Sequence, residues 1–124
     1  MSLQASSRSR EIWRTTIKGA ANARVRESVE SPFLDSRPVA VTIFYFCPAE
    51  MEGDIDNIVK PILDGMISAV YLDDRVVERV LVQKFEPGIE RSFIDVSQKL
   101  ADALDADTPV VYVRVDDDLS WRTL

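Results

Sequence analysis

The feature that most constrains the fold is an uninterrupted apolar run at residues 39–47, VAVTIFYFC. Its residues are β-branched or aromatic and do not alternate with polar ones, which is typical of a central strand covered on both faces. Such a strand needs neighbouring strands and packed helices to bury it. Because 124 residues suit one hydrophobic core, we expect a single layered domain with this segment inside the sheet.

Helical periodicity flanks this run on both sides. Residues 10–29 carry an apolar stripe at helical spacing, formed by Trp13, Ile17, Ala20, Ala21 and Val25. A second stripe spans residues 57–70 and consists of Ile58, Val59, Ile62, Leu63, Met66 and Val70. Proline is tolerated only in or near the first turn of a helix, so Pro61 places the start of the second helix near Asp56.

The remaining segments predict a sheet and one more helix. We expect a strand at residues 75–85, a short strand or bridge at 92–96, a short helix at 98–106 capped by Ser97, and a half-buried strand at 109–118. The fold class that follows is α+β, with a small mixed or antiparallel sheet flanked by helices in one domain.

Composition excludes several kinds of chemistry. The chain has no histidine and one cysteine, Cys47, so imidazole catalysis, His-ligated zinc and an intrachain disulfide are ruled out. Carboxylates, lysines, arginines or hydroxyls must carry any reaction. Low cysteine usage favours a reducing compartment, and no targeting segment is recognisable near the start of the chain. We therefore expect a cytoplasmic protein.

Charge is distributed unevenly along the chain. The net charge is −6, yet residues 1–37 hold seven Lys or Arg against four Asp or Glu, which makes that segment +3 and the remainder −9. Arg10, Arg14 and Lys18 are spaced at i, i+4 and i+8 and share one helix face. This face is either simply solvated or a surface that binds DNA phosphates.

Acidic residues concentrate around the second predicted helix. Asp54 and Asp56 precede or open it, and Asp73 and Asp74 lie in the turn that follows it. If strand 75–85 pairs with the central run, these carboxylates come together, and like charges held close repel unless they are protonated or bridged by a cation. Oxygen ligands without His or Cys favour Mg²⁺ or Mn²⁺. The corresponding chemistry is metal-assisted phosphoryl hydrolysis, in which Lys60 supplies positive charge to the transition state.

Two other interpretations of these carboxylates stay open on spacing alone. Asp and Asn are preferred at helix N-termini and in turns, so DIDN can be only a cap and YLDD only a turn. A two-carboxylate glycosidase is also compatible with paired acids, although nothing in the sequence marks a sugar-binding cleft.

The acidic segment resembles a known family. GDIDNIVKPILDGM followed by AVYLDDRVVERVLVQK, at residues 53–66 and 69–84, is similar to the core of the RusA family of Holliday junction resolvases. That core reads D-x-D-N, a lysine three residues later, a helical L-D-A-L, D-D and a Val-rich strand. REIWRTTIKGAANA and VAVTIFYF also resemble the family's preceding helix and the strand that leads to its catalytic loop.

The resemblance implies a function and residue roles. Family members are dimeric, Mg²⁺-dependent endonucleases that cut four-way DNA junctions symmetrically. By this resemblance Asp54, Asp56 and Asp74 bind the metal, for which Mn²⁺ would substitute. Asp73 is implied to be a supporting neighbour, and Lys60 the catalytic lysine. Positions 1–124 then form one RusA-like domain with a catalytic core at about 38–86.

The chain departs from the family pattern in three respects. No strand with a Pro-Pro-Ser-x-Asn-like turn precedes Arg8, so we expect the N-terminal edge strand of the sheet to be absent or rebuilt. Gly65 stands where the family has Ala, which predicts a slightly weaker helix. Residues 97–124 are a candidate C-terminal addition, and either SFIDV or VVYVRV is the family's last strand.

Two functional hypotheses result. The first is a homodimeric, Mg²⁺-dependent endodeoxyribonuclease that resolves four-way junctions in recombination and repair, with Arg10, Arg14 and Lys18 contacting DNA. The second is a non-catalytic dimeric module on the same scaffold, whose acidic surface binds a protein or mimics DNA. The sequence pI of about 4.6 counts against tight DNA binding, because an acidic field repels nucleic acid.

Overall fold

The computed structural model of the protein describes residues 2–6, 10–27, 32–47, 56–88, 92–94 and 96–122, with the backbone alone for 2–6, 10–12, 56, 57 and 121. The strands are β1 (Ser2–Ser6), β2 (Val39–Phe46), β3 (Val77–Phe85) and β4 (Val110–Asp116), and the helices are α1 (Arg10–Glu27), α2 (Asp56–Met66) and α3 (Gln98–Asp105). Single 3₁₀ turns lie at Asp74–Val76 and Ser120–Arg122.

The strands form one mixed sheet in the order β1-β4-β2-β3. Strand β2 pairs in parallel with β3 and antiparallel with β4, and β4 pairs antiparallel with β1. The predicted α+β class with a mixed sheet is therefore confirmed. The predicted pairing of β3 with the central run is confirmed as well.

Strand β2 is interior and is packed on both faces, as its composition predicts. Val39, Val41 and Ile43 are buried against the core that α1 and α2 share. On the opposite face, Phe44 and Phe46 join a second apolar cluster together with α3. Phe44, Tyr45 and Phe46 thus pack within the protein and are not presented as an exposed stacking platform.

Helices α1 and α2 cross at very short range. Trp13, Ile17 and Ala21 of α1 are buried in the same core as the apolar stripe of α2. A Cβ atom on Gly65 would lie 2.7 Å from the Arg14 carbonyl oxygen and 2.8 Å from Ile17 Cβ. Gly65 therefore does more than weaken its helix: the absence of a side chain permits the two helices to approach each other.

The structure refines the predictions for two neighbouring strands, β1 and β4. Strand β1 pairs with the outer edge of β4, so the N-terminal edge of the sheet is rebuilt, which is one of the two expected alternatives, although SLQAS has little intrinsic preference for strand structure. Strand β4 is more deeply buried than its alternation predicts, because Val110, Val111, Tyr112 and Val113 are all buried. Neighbours on both sides and α3 against one face enclose it.

One predicted strand and one helix boundary also differ. The described residues of SFIDV, 92–94 and 96, contain no strand, whereas VVYVRV forms most of β4. Helix α2 ends at Met66 and not at Val70, since Ser68 has a φ of 71° and the chain turns over residues 68–70. Val70 is nevertheless fully buried, because this turn folds it back against the core.

Candidate active site

Helix α2 carries the candidate catalytic lysine on a polar face. Asp56 is the first residue of the helix, and Lys60 and Asp64 follow at intervals of four, so the three positions share one face. The Lys60 side chain is 68% exposed and that of Asp64 is 27% exposed. The apolar residues of α2 lie on the other side of the helix and fix this face outward.

A chain reversal brings Asp74 back to this face of α2. The backbone N–H of Phe33 donates to the Val70 carbonyl at 2.8 Å, and the buried Tyr71 hydroxyl donates to the Leu63 carbonyl at 2.7 Å. These bonds hold the segment after α2 against both the 32–38 connector and the helix. Asp74 consequently lies beside α2, although it belongs to the 3₁₀ turn that leads into β3.

The Lys60 ammonium is held between two carboxylates. It is 2.9 Å from Asp64 Oδ1 and donates a hydrogen bond of 2.9 Å to Asp74 Oδ2. These two contacts raise the pKa of Lys60, with Asp64 the larger influence, so the lysine is a permanent cation near neutrality. The hydrogen bond from Lys60 is in turn the main cause of the lowered pKa of Asp74.

Asp73 has a different environment from Asp74. Its Oδ1 accepts a hydrogen bond of 3.0 Å from the backbone N–H of Arg75, which caps the 3₁₀ turn. Its other oxygen lies 3.6 Å from Arg75 Nε. Asp73 thus caps the turn, a role for which aspartate is a preferred residue type, and it is the direct sequence neighbour of Asp74.

The side chains of two predicted metal ligands, Asp54 and Asp56, are not described by the structure. Asp54 lies outside the described residues, and of Asp56 only the backbone position is described. Among the side chains that are placed, no group of three or more His, Cys, Asp or Glu residues is arranged to hold a metal ion. The metal-binding roles of Asp54, Asp56, Asp73 and Asp74 therefore stay predictions.

The basic face of α1 borders the same region. Arg14, Lys18 and Asp64 line one surface groove, with Ile67 at its edge. Lys18 Nζ donates a hydrogen bond of 3.0 Å to the Ile67 carbonyl just beyond α2. Arg14 is exposed, while the side chain of Arg10 is not described. The predicted DNA-contacting residues with described side chains thus lie next to Asp64.

Asp64 is the residue that sequence reasoning left without a role. Its spacing of four from Lys60 and eight from Asp56 was the available signal. Only the structure shows that Asp64 and Asp74 contact the same ammonium group.

Comparison with protein families identifies the chain. A family model described as Endodeoxyribonuclease RusA matches residues 5–97, which is three quarters of the 124 residues. The chain belongs to the RusA endodeoxyribonuclease family. This confirms the resemblance seen in the sequence, and the family is one of nucleases that resolve Holliday junctions. Comparisons with curated proteins and with solved structures found no match.

The RusA match contains the whole Lys60 site. It includes the last two residues of β1 and all of α1, β2, α2 and β3, and it ends just before α3. Strand β4 lies beyond the matched range, yet it is inserted between β1 and β2.

In the part of the chain that the structure describes, no helix combines the length and apolarity needed to cross a membrane.

Proposed function

We propose that this member of the RusA family is an Mg²⁺-dependent endodeoxyribonuclease that resolves four-way DNA junctions. Family membership supports the endonuclease activity in general. The observation that carries the proposal is the contact between Lys60 and Asp74, because it brings together the two halves of the family motif, the DIDN helix and the DD turn. A cap and an independent turn would not need this contact.

The residues fit a hard divalent cation. Asp74 already holds a cationic group, the Lys60 ammonium, at 2.9 Å. The motif residues Asp54, Asp56, Asp73 and Asp74 offer only carboxylate oxygens, which suit Mg²⁺ and Mn²⁺ better than zinc. Asp54, Asp56 and Asp74 would hold the ion, with Asp73 as a supporting neighbour. When bound, it would acidify a water and polarise the phosphodiester.

The chain's own cations would bind and stabilise the substrate. Lys60 is exposed enough to reach a phosphoryl oxygen and is protonated, so it would stabilise negative charge that develops at the phosphorus. Arg14 and Lys18, with Arg10 one turn earlier, would contact the DNA backbone beside the site. Near the site, these positive charges would offset the repulsion between DNA and a chain of negative net charge.

We further propose that the enzyme acts as a cytoplasmic homodimer. A four-way junction is resolved by two cuts on strands related by symmetry, which requires two active sites. A twofold homodimer supplies them with the matching symmetry.

The decisive experiment measures cleavage of a synthetic four-way junction in Mg²⁺. We expect cleavage by the intact protein and a loss of at least about 100-fold in Asp74→Asn and in Asp56→Asn. Asp105→Asn removes the same charge from the exposed end of α3 and should cleave normally. Undiminished cleavage by Asp74→Asn would show that Asp74 is not part of the active site.

Metal binding distinguishes the enzyme from a non-catalytic module. Calorimetric titration with Mn²⁺ should show binding that Asp54→Ala weakens. An intact protein that neither binds Mn²⁺ nor cuts junctions would refute the nuclease function and favour a protein-binding module.

A further inference from the structure

We propose that Asp64 is a positioning residue that holds Lys60 toward the substrate phosphate. This inference rests on the proposed nuclease function and assigns a role to a carboxylate that the function does not use. In this role, Asp64 keeps the Lys60 side chain in place when the metal occupies Asp74.

The geometry of α2 makes Asp64 the fixed partner of Lys60. The two residues are four apart in one helix, so their separation does not depend on the loop that carries Asp74. Lys60 Nζ lies 2.9 Å from Asp64 Oδ1. Asp64 is also the less exposed of the two side chains, at 27% against 68%, which restricts its motion more than that of the lysine.

Helix stability does not account for this pair. Ion pairs at exposed positions contribute little to stability. Within a helix, an acid placed four residues before a base is more favourable than the reverse order seen here. A functional requirement explains the placement better.

The neighbouring cations leave Asp64 available to Lys60. In the groove between α1 and α2, Lys18 donates to the Ile67 carbonyl at 3.0 Å. Arg14 lines the same groove on the α1 side. Asp64 therefore lies between the basic face of α1 and the candidate catalytic lysine, and it directs Lys60 to the side of α2 where Asp74 and the DNA would meet.

Occupancy of Asp74 by a divalent cation would remove one of the two contacts of Lys60. The cation and the ammonium group repel each other, so without Asp64 the lysine would swing into solvent. With Asp64, it stays tethered within reach of the phosphate. The expected defect of an Asp64 variant is thus in turnover, not in binding of the junction.

A double-mutant cycle tests this role. At saturating Mg²⁺, Asp64→Asn should lower kcat for junction cleavage about 10- to 100-fold with KM unchanged, and Asp64→Glu should recover most of it. In a Lys60→Met background, Asp64→Asn should have no further effect. Asp102→Asn is the matched control, because Asp102 also has a partner four residues earlier on its helix, Gln98 at 2.8 Å.

Three outcomes of the cycle would overturn the proposal. A full kcat in Asp64→Asn would show that Lys60 needs no tether. An equal loss in the Lys60→Met background would show that Asp64 acts by itself, for instance as a metal ligand. A change in KM alone would indicate a role in DNA binding.

A second measurement is independent of cleavage. In metal-free protein, the ¹⁵N resonance of the Lys60 ammonium, identified by its absence in Lys60→Met, should be protected from solvent exchange. Protection should persist in Asp74→Asn, where Asp64 is the remaining partner, and disappear in the double variant Asp64→Asn/Asp74→Asn. Loss of protection in Asp74→Asn alone, or its persistence in the double variant, would overturn the proposal. If the intact protein cuts no junction, the proposed function fails, and this spectrum still decides whether Asp64 holds the lysine.

Discussion

Lys60 and Asp74 are separated by fourteen residues and joined by a hydrogen bond of 2.9 Å. Helix α2 ends at Met66, and the chain then reverses and returns beside the helix before β3 begins. The bond therefore exists because of tertiary structure and not because of sequence proximity. It connects the two acidic motifs of the chain through one lysine.

Removal of the Lys60 charge should affect catalysis and spare the fold. We expect Lys60→Met to lower junction cleavage about 100-fold, because the developing phosphoryl charge loses its nearest cation. The melting temperature should hardly change, since the side chain is exposed. Lys99→Met is the control, because Lys99 pairs with Glu27 at 2.9 Å away from the site. Equal losses in both variants would argue against a catalytic role for Lys60.

Gly19 in α1 and Gly65 in α2 should respond to alanine in opposite directions. At Gly65 a Cβ would meet the Arg14 carbonyl at 2.7 Å, so Gly65→Ala should destabilise the protein by about 1–3 kcal/mol. At Gly19 nothing lies within 4 Å, so Gly19→Ala should stabilise it by about 0.5–1 kcal/mol through helix propensity. Urea unfolding measures both. Stabilisation by Gly65→Ala would contradict the close crossing of α1 and α2.

The buried Tyr71 hydroxyl should matter for both stability and activity. Tyr71→Phe removes the hydrogen bond to the Leu63 carbonyl and should cost about 1–2 kcal/mol in urea unfolding. Cleavage should also fall, because this bond positions the segment that carries Asp74. Tyr45→Phe, at a half-buried tyrosine that packs against Trp13, should have a smaller effect. Similar losses in the two variants would exclude a special role for Tyr71.

The basic face of α1 should be visible in the salt dependence of DNA binding. In metal-free conditions, Arg14→Ala should weaken binding of a four-way junction and reduce the slope of log K against log salt by about one. Arg26→Ala, in the last turn of α1, should leave the slope unchanged. An unchanged slope in Arg14→Ala would mean that this face is merely solvated.

Cys47 should behave as a buried structural residue. Its side chain is nearly inaccessible, with 4% of the residue exposed, and burial raises the pKa of its thiol. At pH 8 the thiol is therefore protonated in the folded state, and an aromatic disulfide reagent should modify it slowly. Full reaction is expected once urea unfolds the chain. Rapid modification of the folded protein, at a rate near that of a free thiol, would contradict this environment.

Local pattern was sufficient to predict the central strand and the two helices that pack against it. The continuous run VAVTIFYF predicts an interior strand, and β2 is one. The stripes through Trp13 and Ile62 predict α1 and α2, since a helix with one apolar face must bury it. The acidic motifs around α2 could also be recognised from the sequence, because their spacing and residue types are typical of the family that the chain matches.

Other parts of the fold could not be predicted, because their local sequence does not favour the structure that they adopt. Nothing in SLQAS favours a strand, and β1 forms because β4 offers it an open edge with unpaired backbone groups. The depth of β4 likewise depends on its two neighbours and on α3. The function of Gly65 was also hidden, since a glycine in a helix pattern reads as a weakness until the partner helix is seen.

By itself, the sequence determined the fold class, the principal helices, the central strand and the family with its acidic motifs, because periodicity and motif spacing are properties of neighbouring residues. Tertiary structure alone decided that Asp74 reaches Lys60, that Asp64 shares it, and that Gly65 is a crossing point. These relationships depend on where a chain reversal and a helix packing place distant atoms to within an ångström. No local pattern of residues encodes such distances.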